Sequence, residues 1–258
     1  MIPYKKILKQ AWLLTKSHKF LWAYGLLLVL SAAVVLFLKS SANLFVQKPA
    51  SALLILAVLV AVLFLGFRSK VGLVTAFSEL LAKRETNLRK SFRTGRKYYE
   101  RIAIEFLLFA VFLTLISWLL FEPASAAASR MFSTLVYAIV GLSLIAVVEL
   151  AALFTVFNDL RARQSLSAAW DLVSKYWFSL TFLSLVLLII NSILPTIASI
   201  VFFRFYGNIG MALAAAFFLL CSALPLVFTQ ACWILTFQEL VKPVKLEGEQ
   251  EAALPEAA

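Results

Sequence analysis

Histidine, cysteine and glycine are scarce in this sequence, and their scarcity argues against several kinds of catalytic and metal site. His18 is the single histidine, and the two cysteines, Cys221 and Cys232, lie in one apolar stretch. A zinc site needs about four such ligands, and these cysteines fit small core residues better than a disulfide framework. No G-x-S-x-G, H-E-x-x-H, P-loop or C-x-x-C motif occurs. The sequence therefore predicts no enzyme activity, no cofactor and no metal.

Charge is scarce as well. Only 14% of the 258 residues are charged, 63% are hydrophobic, and the mean hydropathy is +0.94. A soluble domain is about half apolar and about a quarter charged. The excess apolar surface must face something other than water, so we expect the chain to contact the lipid bilayer as an integral membrane protein.

Six apolar stretches are long enough to cross a bilayer, which takes about 20 helical residues. Lipid cannot satisfy a free backbone N–H or C=O group, so the spans must be helices. The stretches, of which the second is the least distinct, are 20–38, 50–67 (or on to 77), 102–121, 132–157, 178–203 and 211–237. The sequence predicts an all-α, polytopic membrane protein with six transmembrane helices, the first of them retained and not cleaved as a signal peptide.

The net charge of +11 is unevenly distributed between the spans. All 24 lysines and arginines lie on one side of the predicted membrane, except Lys39, Lys48, Arg130 and Arg204. The positive-inside rule then places both termini in the cytoplasm. Because these cations lie between apolar stretches, they fit anionic lipid headgroups better than nucleic acid, which we do not expect as a partner.

Two motifs recur along the chain and indicate a threefold internal repeat. The pattern F-x-[DE]-L occurs at residues 77–80, 157–160 and 237–240, and its acidic residues are Glu79, Asp159 and Glu239. A second pattern, in which an aromatic residue follows L-x-x-[AS], precedes each odd-numbered span and supplies Trp12, Phe92 and Trp170. We therefore predict three tandem units, 1–80, 81–160 and 161–241, followed by a disordered acidic tail at 242–258.

Each unit is expected to begin with a short amphipathic helix. In the first unit the apolar side chains from Tyr4 to Thr15 share one helical face and the lysines occupy the other. The second helix is expected at 86–99, with Thr86 as its N-cap, and the third at 165–176. The three helices are either plain interfacial anchors or a cytoplasmic collar that docks a protein partner or anionic headgroups. Each F-x-[DE]-L acid could pair with a basic collar residue or cap the next helix.

Glu149 is the charge that most needs a partner, because it lies inside the fourth span. The second span carries Arg68 and Lys70 at a similar distance from its F-x-[DE]-L motif, and the sixth carries Gln230. We expect Glu149 to pair with Arg68 or Lys70, with Gln230 nearby. Such a pair either fixes helix packing or belongs to an ion or proton path.

The predicted spans also contain an asparagine, two prolines and a second glutamate. Asn191 stands one turn before Pro195, and Pro225 interrupts the sixth span. Prolines at such positions mark either plain kinks or the broken helices of transporters. Glu105 is expected to be satisfied by Arg101, one turn earlier on the same helix.

In the stretches around Trp12–Trp22 and Ser167–Phe178 an A-W pair is followed by a lysine and a second tryptophan: Lys16 and Trp22 follow Trp12, and Lys175 and Trp177 follow Trp170. In style and layout this resembles poorly characterised bacterial multi-pass proteins, including the membrane domain beside some glycerophosphodiester phosphodiesterases. The resemblance implies a bacterial cytoplasmic (inner) membrane and no established activity. The chain has no phosphodiesterase catalytic domain, so that activity is not carried over.

Two functions remain as hypotheses. The first is a non-enzymatic scaffold or accessory subunit that contacts lipid or a partner through the collar. The second is a transporter or permease for a small solute. A continuous polar cavity lined by Glu149, Arg68, Asn191 and Gln230 would favour the transporter, whereas a packed bundle centre would favour the scaffold.

Overall fold

The computed structural model describes the backbone of residues 2–45, 49–121, 127–204 and 208–241. This part of the chain is helical apart from its short connections, and the predicted tail at 242–258 lies outside it. The helices are α1 (Tyr4–Ser17), α2 (Leu21–Phe45), α3 (Pro49–Leu81), α4 (Leu88–Gly95), α5 (Tyr99–Phe121), α6 (Ala127–Phe157), α7 (Ala162–Lys175), α8 (Trp177–Arg204) and α9 (Asn208–Val241), with a 3-10 turn at Arg96–Tyr98 between α4 and α5.

Among the described residues, five helices are long and apolar enough to cross a membrane. A sixth span is added if α1 and the start of α2, which meet at 95°, are taken as one bent span. The all-helical class is therefore confirmed for the described residues, together with five or six helices that are apolar enough to span a membrane. The helices α8 and α9 continue through Pro195 and Pro225.

The beginnings of the short helices follow from local hydrogen bonds. Asn87, and not Thr86 as predicted, is the N-cap of α4, because its side chain accepts from the Lys90 N–H at 2.9 Å. The prediction failed because the Thr86 hydroxyl is used elsewhere, by Glu79. Helix α7 begins a turn earlier than expected, since the Gln164 side chain accepts the Arg161 N–H at 3.3 Å.

The core lies where the later halves of α3, α6 and α9 meet. These three helices contact one another and contribute fully buried side chains such as Phe77, Leu153 and Trp233. The Phe237 ring packs on Phe154 with ring centroids 4.9 Å apart. Of the five candidate spans, the one that contains α5 is the least buried, and its exposed leucines, Phe112 and Trp118 form a surface suited to lipid.

The short helices each pack on a different member of this central trio. Helix α4 packs on α3, α7 packs on α6, and α1 packs on α9, at the other end of the chain. The helices α2, α5 and α8 also contact α9, α3 and α6, respectively. Each helix of the trio is thus covered by one short helix and by the long helix that follows that short helix in the sequence.

Helix α2 approaches α9 closely at Gly25. A Cβ atom added to Gly25 would lie 2.5 Å from the backbone oxygen of Ala223 and 2.9 Å from Cγ2 of Val227. Because only hydrogen fits in this space, the glycine permits the two backbones to come together.

Candidate functional site

The Glu149 carboxylate is paired with Lys70. Lys70 Nζ donates a hydrogen bond to Glu149 Oε1, and the two side chains are 18% and 14% exposed. The Lys70 ammonium also lies 5.6 Å from the centroid of the Phe106 ring. Of the two cations that the sequence offered, Lys70 is therefore the partner, and the pair joins α3 to α6.

Arg68, the other cation, belongs to a different contact. Its Nε donates to the Tyr99 hydroxyl at 3.2 Å, and its guanidinium carbon lies 5.6 Å from the Phe92 ring centroid and 5.8 Å from that of Tyr99. Arg68 and Lys70 are two residues apart on one helix, so they face different neighbours. Arg68 thus connects α3 to the aromatic side chains that surround the 3-10 turn.

The remaining members of the predicted polar cluster do not join the ion pair through any described hydrogen bond. Asn191 Nδ2 donates to the Thr229 hydroxyl at 2.9 Å, which joins α8 to α9. Gln230 is buried, and its Nε2 has no partner among the described residues. Within the same part of the chain, Glu149 Oε2 and Asn191 Oδ1 are also buried without a partner. The five residues thus do not form one cluster: Lys70 pairs with Glu149, whereas Arg68 and Asn191 have other partners.

The acids of the F-x-[DE]-L motifs each reach a neighbouring element. Glu79, which is buried, accepts from the Thr86 hydroxyl ahead of α4. Glu239 of α9 lies 3.4 Å from Lys6 Nζ of α1.

Asp159 has the most extensive of these contacts. It adopts a left-handed φ of 53° just after α6, and its Oδ1 accepts from Arg101 at 2.7 Å. Arg101 also donates to the carbonyl oxygens of Asp159 and Leu160, at 3.2 and 3.3 Å. Lys97 Nζ lies 3.8 Å from the other Asp159 carboxylate oxygen.

The prediction that Arg101 satisfies the Glu105 carboxylate is wrong. Glu105 is fully buried on α5, but Arg101 is engaged by Asp159 and does not satisfy it. Its Oε1 instead accepts from Thr155 of α6 at 2.6 Å and from the Ser165 hydroxyl of α7. Sequence reasoning considered partners one turn away on the same helix, whereas these hydroxyls are 50 and 60 residues distant.

The short helices expose a basic surface, which we call the collar. Trp12 and Trp170 are 47% and 56% exposed beside it, and Trp12 meets the Phe228 ring edge-on at 6.4 Å. The exposed cations of the collar and its connections are Lys5, Lys6, Lys9, Lys16, Lys19, Lys83, Arg84, Arg89, Lys90, Arg93, Arg96, Lys97, Arg161, Arg163 and Lys175.

Two open grooves lie along the collar. The first, of about 560 Å³, runs between α1 and the end of α9 and includes Lys6 and Glu239. The second, of about 480 Å³, lies between the α1–α2 bend and the α3–α4 connection. Neither groove is lined by Glu149, Arg68, Asn191 or Gln230.

Within the described ranges, no cluster of three or more histidine, cysteine, aspartate or glutamate side chains could hold a metal ion. The arrangement offers ion pairing, hydrogen bonding and a cationic surface. No protein-family model matches the chain, and no curated protein or solved structure matches it significantly.

Proposed function

We propose that this chain is a non-enzymatic membrane scaffold or accessory subunit whose basic collar contacts anionic lipid headgroups or a protein partner. The observation that carries the proposal is the exposure of the collar cations on short helices that are themselves anchored to the bundle. Cationic side chains near a membrane surface attract anionic lipid at about 1 kcal/mol for each Lys or Arg.

The anchoring of the collar supports a docking role over loose surface attachment. Each short helix is held by specific contacts: Lys6 with Glu239, Ser165 with Glu105, and Gly95 against Thr75, whose Oγ1 lies 3.1 Å from the position of an added Cβ. These contacts fix the direction in which the exposed cations point, and a fixed surface can select its partner.

The same helices support three tandem units as the internal organisation. Buried residues of the three short helices lie at equivalent positions of the sequence repeat. One set of equivalent residues is Ala11, Ser91 and Ala169, and the other is Thr15, Gly95 and Val173. The packing of α1 on α9, α4 on α3 and α7 on α6 then has the cyclic order that three units around one axis would require.

We further propose that the collar lies on the cytoplasmic side of a bacterial inner membrane, with both termini cytoplasmic. The positive-inside rule and the resemblance in layout support this orientation. The test uses single cysteines in a Cys221→Ala/Cys232→Ala background and a membrane-impermeant maleimide applied to intact spheroplasts. Ser17→Cys and Ser167→Cys should stay unlabelled until the membrane is opened, whereas Ser125→Cys should react at once; the reverse pattern would overturn the orientation.

The function itself is tested by native mass spectrometry of the protein released from membranes in mild detergent. We expect retained anionic lipid or a bound subunit. A variant that replaces four collar cations by glutamine (Lys5, Lys9, Arg93 and Arg96) should retain less of this mass than the wild type, because these side chains are exposed. The matched control replaces Lys39, Lys48, Arg130 and Arg204 and should keep it. Equal loss in both variants, or no retained mass in the wild type, would contradict the proposal.

A transporter remains the second candidate because Glu149 Oε2 and Gln230 Nε2 are buried without partners among the described residues. Polar groups in that state fit a water-filled path. The engagement of Glu149 by Lys70 and of Asn191 by Thr229 favours the scaffold instead. Loss of solute or proton flux in proteoliposomes on Glu149→Gln, with the fold intact, would support the transporter.

A further inference from the structure

We propose that the groove between the α1–α2 bend and the α3–α4 connection binds the phosphate group of one anionic phospholipid. This inference rests on the proposed contact between the collar and anionic lipid, and it deepens that proposal by naming one specific site. The groove is lined by His18, Phe20, Leu80, Arg84, Glu85, Thr86, Asn87 and Lys90, and has a volume of about 480 Å³.

The position of the groove suits a lipid headgroup. One wall belongs to the bend just before α2 begins at Leu21, and the other follows the end of α3 at Leu81. Two apolar helices therefore end beside it, so the groove lies where the hydrocarbon gives way to polar headgroups. Phe20 and Leu80 supply apolar surface that fits the glycerol and upper acyl region of a phospholipid.

Arg84 supplies the free cation. It is exposed, and among the described residues its guanidinium has no hydrogen bond or ion pair. Its backbone is nevertheless held, because the Arg84 N–H donates to the Glu79 carbonyl oxygen at 2.9 Å. A guanidinium on a fixed backbone presents two parallel N–H donors, which match the oxygens of a phosphate.

Lys90 adds a second positive charge to the lining of the groove. Its Nζ donates to the Glu85 backbone carbonyl oxygen and not to the carboxylate of that residue. Glu85 is the acid that lines the groove, so Arg84 and Lys90 leave one positive charge in excess there. Glu79 accepts a hydrogen bond from Thr86, which lines the groove.

His18 contributes a polar edge to the same space. Its Nδ1 lies 2.8 Å from the Ser17 hydroxyl and 3.2 Å from the Leu14 carbonyl oxygen, so these contacts orient the ring. The Phe20 ring meets it edge-on at 6.3 Å. The groove therefore combines two cations, a fixed imidazole and an apolar wall at the membrane surface, and this combination fits an anionic phospholipid better than a soluble anion.

The test is native mass spectrometry of the full chain titrated with phosphatidylglycerol, with phosphatidylcholine as the zwitterionic reference. The wild type should bind one phosphatidylglycerol in preference to phosphatidylcholine. Arg84→Gln/Lys90→Gln should weaken that binding at least about thirtyfold, because the phosphate loses both of the charge-assisted contacts that the groove offers. Arg89→Gln/Arg93→Gln removes the same charge from α4 outside the groove and should change the affinity less than about threefold.

The other outcomes separate failure of the groove from failure of the collar. Equal weakening in both variants would overturn the groove and leave the collar proposal standing, whereas no preference for phosphatidylglycerol in the wild type would contradict both. Displacement of the lipid by excess inorganic phosphate would also overturn the lipid assignment. Thermal unfolding should give matching midpoints for the two double variants. Arg84→Glu is the second variant; retained affinity there would overturn the site.

Discussion

Lys70 and Glu149 form an ion pair between two long helices of the central trio, and Arg68, only two residues from Lys70, takes no part in it. Removing one partner of a mostly buried pair leaves the other charge uncompensated, and this typically costs about 3–5 kcal/mol. We therefore expect Lys70→Met and Glu149→Leu each to lower the free energy of unfolding by about that amount.

The double variant Lys70→Met/Glu149→Leu should recover much of the loss, since no buried charge remains. Unfolding by denaturing detergent in mixed micelles gives the double-mutant cycle. Arg68→Met is the matched control and should cost less than about 1.5 kcal/mol, because Arg68 is exposed and loses one hydrogen bond. A cost for Arg68→Met equal to that for Lys70→Met would show that the assigned pair is wrong.

The close approach of α2 to α9 at Gly25 predicts that alanine destabilises the protein at this position but not at Gly141. Gly25→Ala would push a methyl group against the backbone oxygen of Ala223 and should destabilise the protein by about 1–3 kcal/mol. Gly141→Ala is the matched control, because no atom lies within 4 Å of its added Cβ, and alanine favours the helix by up to about 1 kcal/mol. The thermal unfolding midpoints of the two variants should move in opposite directions; a stabilised Gly25→Ala would refute the packing of α2 on α9.

Arg101 should contribute more to the free energy of unfolding than Lys97, although both side chains approach Asp159. Arg101→Ala removes three hydrogen bonds, including two to carbonyl oxygens just after α6, and should cost about 1–2 kcal/mol. Lys97→Ala breaks an exposed 3.8 Å contact and should cost less than about 0.5 kcal/mol. Hydrogen exchange of the amides at the end of α6 should rise in the arginine variant alone. A rise in both would mean that the carbonyl bonds contribute little.

Glu105 is expected to depend on its hydroxyl partners. Ser165→Ala leaves the buried carboxylate with Thr155 as its one described donor and should cost about 1–3 kcal/mol. Glu105→Gln keeps an oxygen acceptor for both hydroxyls and removes the buried charge, so its unfolding midpoint should match or exceed that of the wild type. Glu100→Gln, on the exposed surface of the same helix, is the control and should be neutral. A strongly destabilised Glu105→Gln would mean that the negative charge itself is needed.

The sequence predicted the helices well because lipid imposes a simple rule on apolar stretches. Each of the six predicted stretches falls within one long helix, apart from Phe20, which precedes α2, and the short helices lie close to their expected places. The helix ends were less accurate, since they depend on caps such as Asn87, where several neighbouring polar residues could serve equally well.

The candidate site was less predictable, because its contacts are long-range. The distance along each helix from its F-x-[DE]-L motif limited the expected partner of Glu149 to Arg68 or Lys70. The choice of Lys70 depends on how α3 is rotated relative to α6. The partners of Glu105 lie on two other helices, and their geometry is set only when α5, α6 and α7 pack together. Thr155 lies just before the F-x-[DE]-L motif at 157–160, and this position was the feature of the sequence that could have indicated it as a partner of Glu105.

The packing of α1 on α9 has a consequence for synthesis in the cell. Lys6 and Glu239 are 233 residues apart, so a ribosome makes the first helix long before its partner exists. Until α9 is inserted, the buried face of α1 formed by Ile7, Ala11 and Thr15 lacks the helix that α1 mainly packs against. A chain that stops before α9 therefore leaves the apolar face of its first helix uncovered, and exposed apolar surface of this kind makes incomplete chains prone to aggregation.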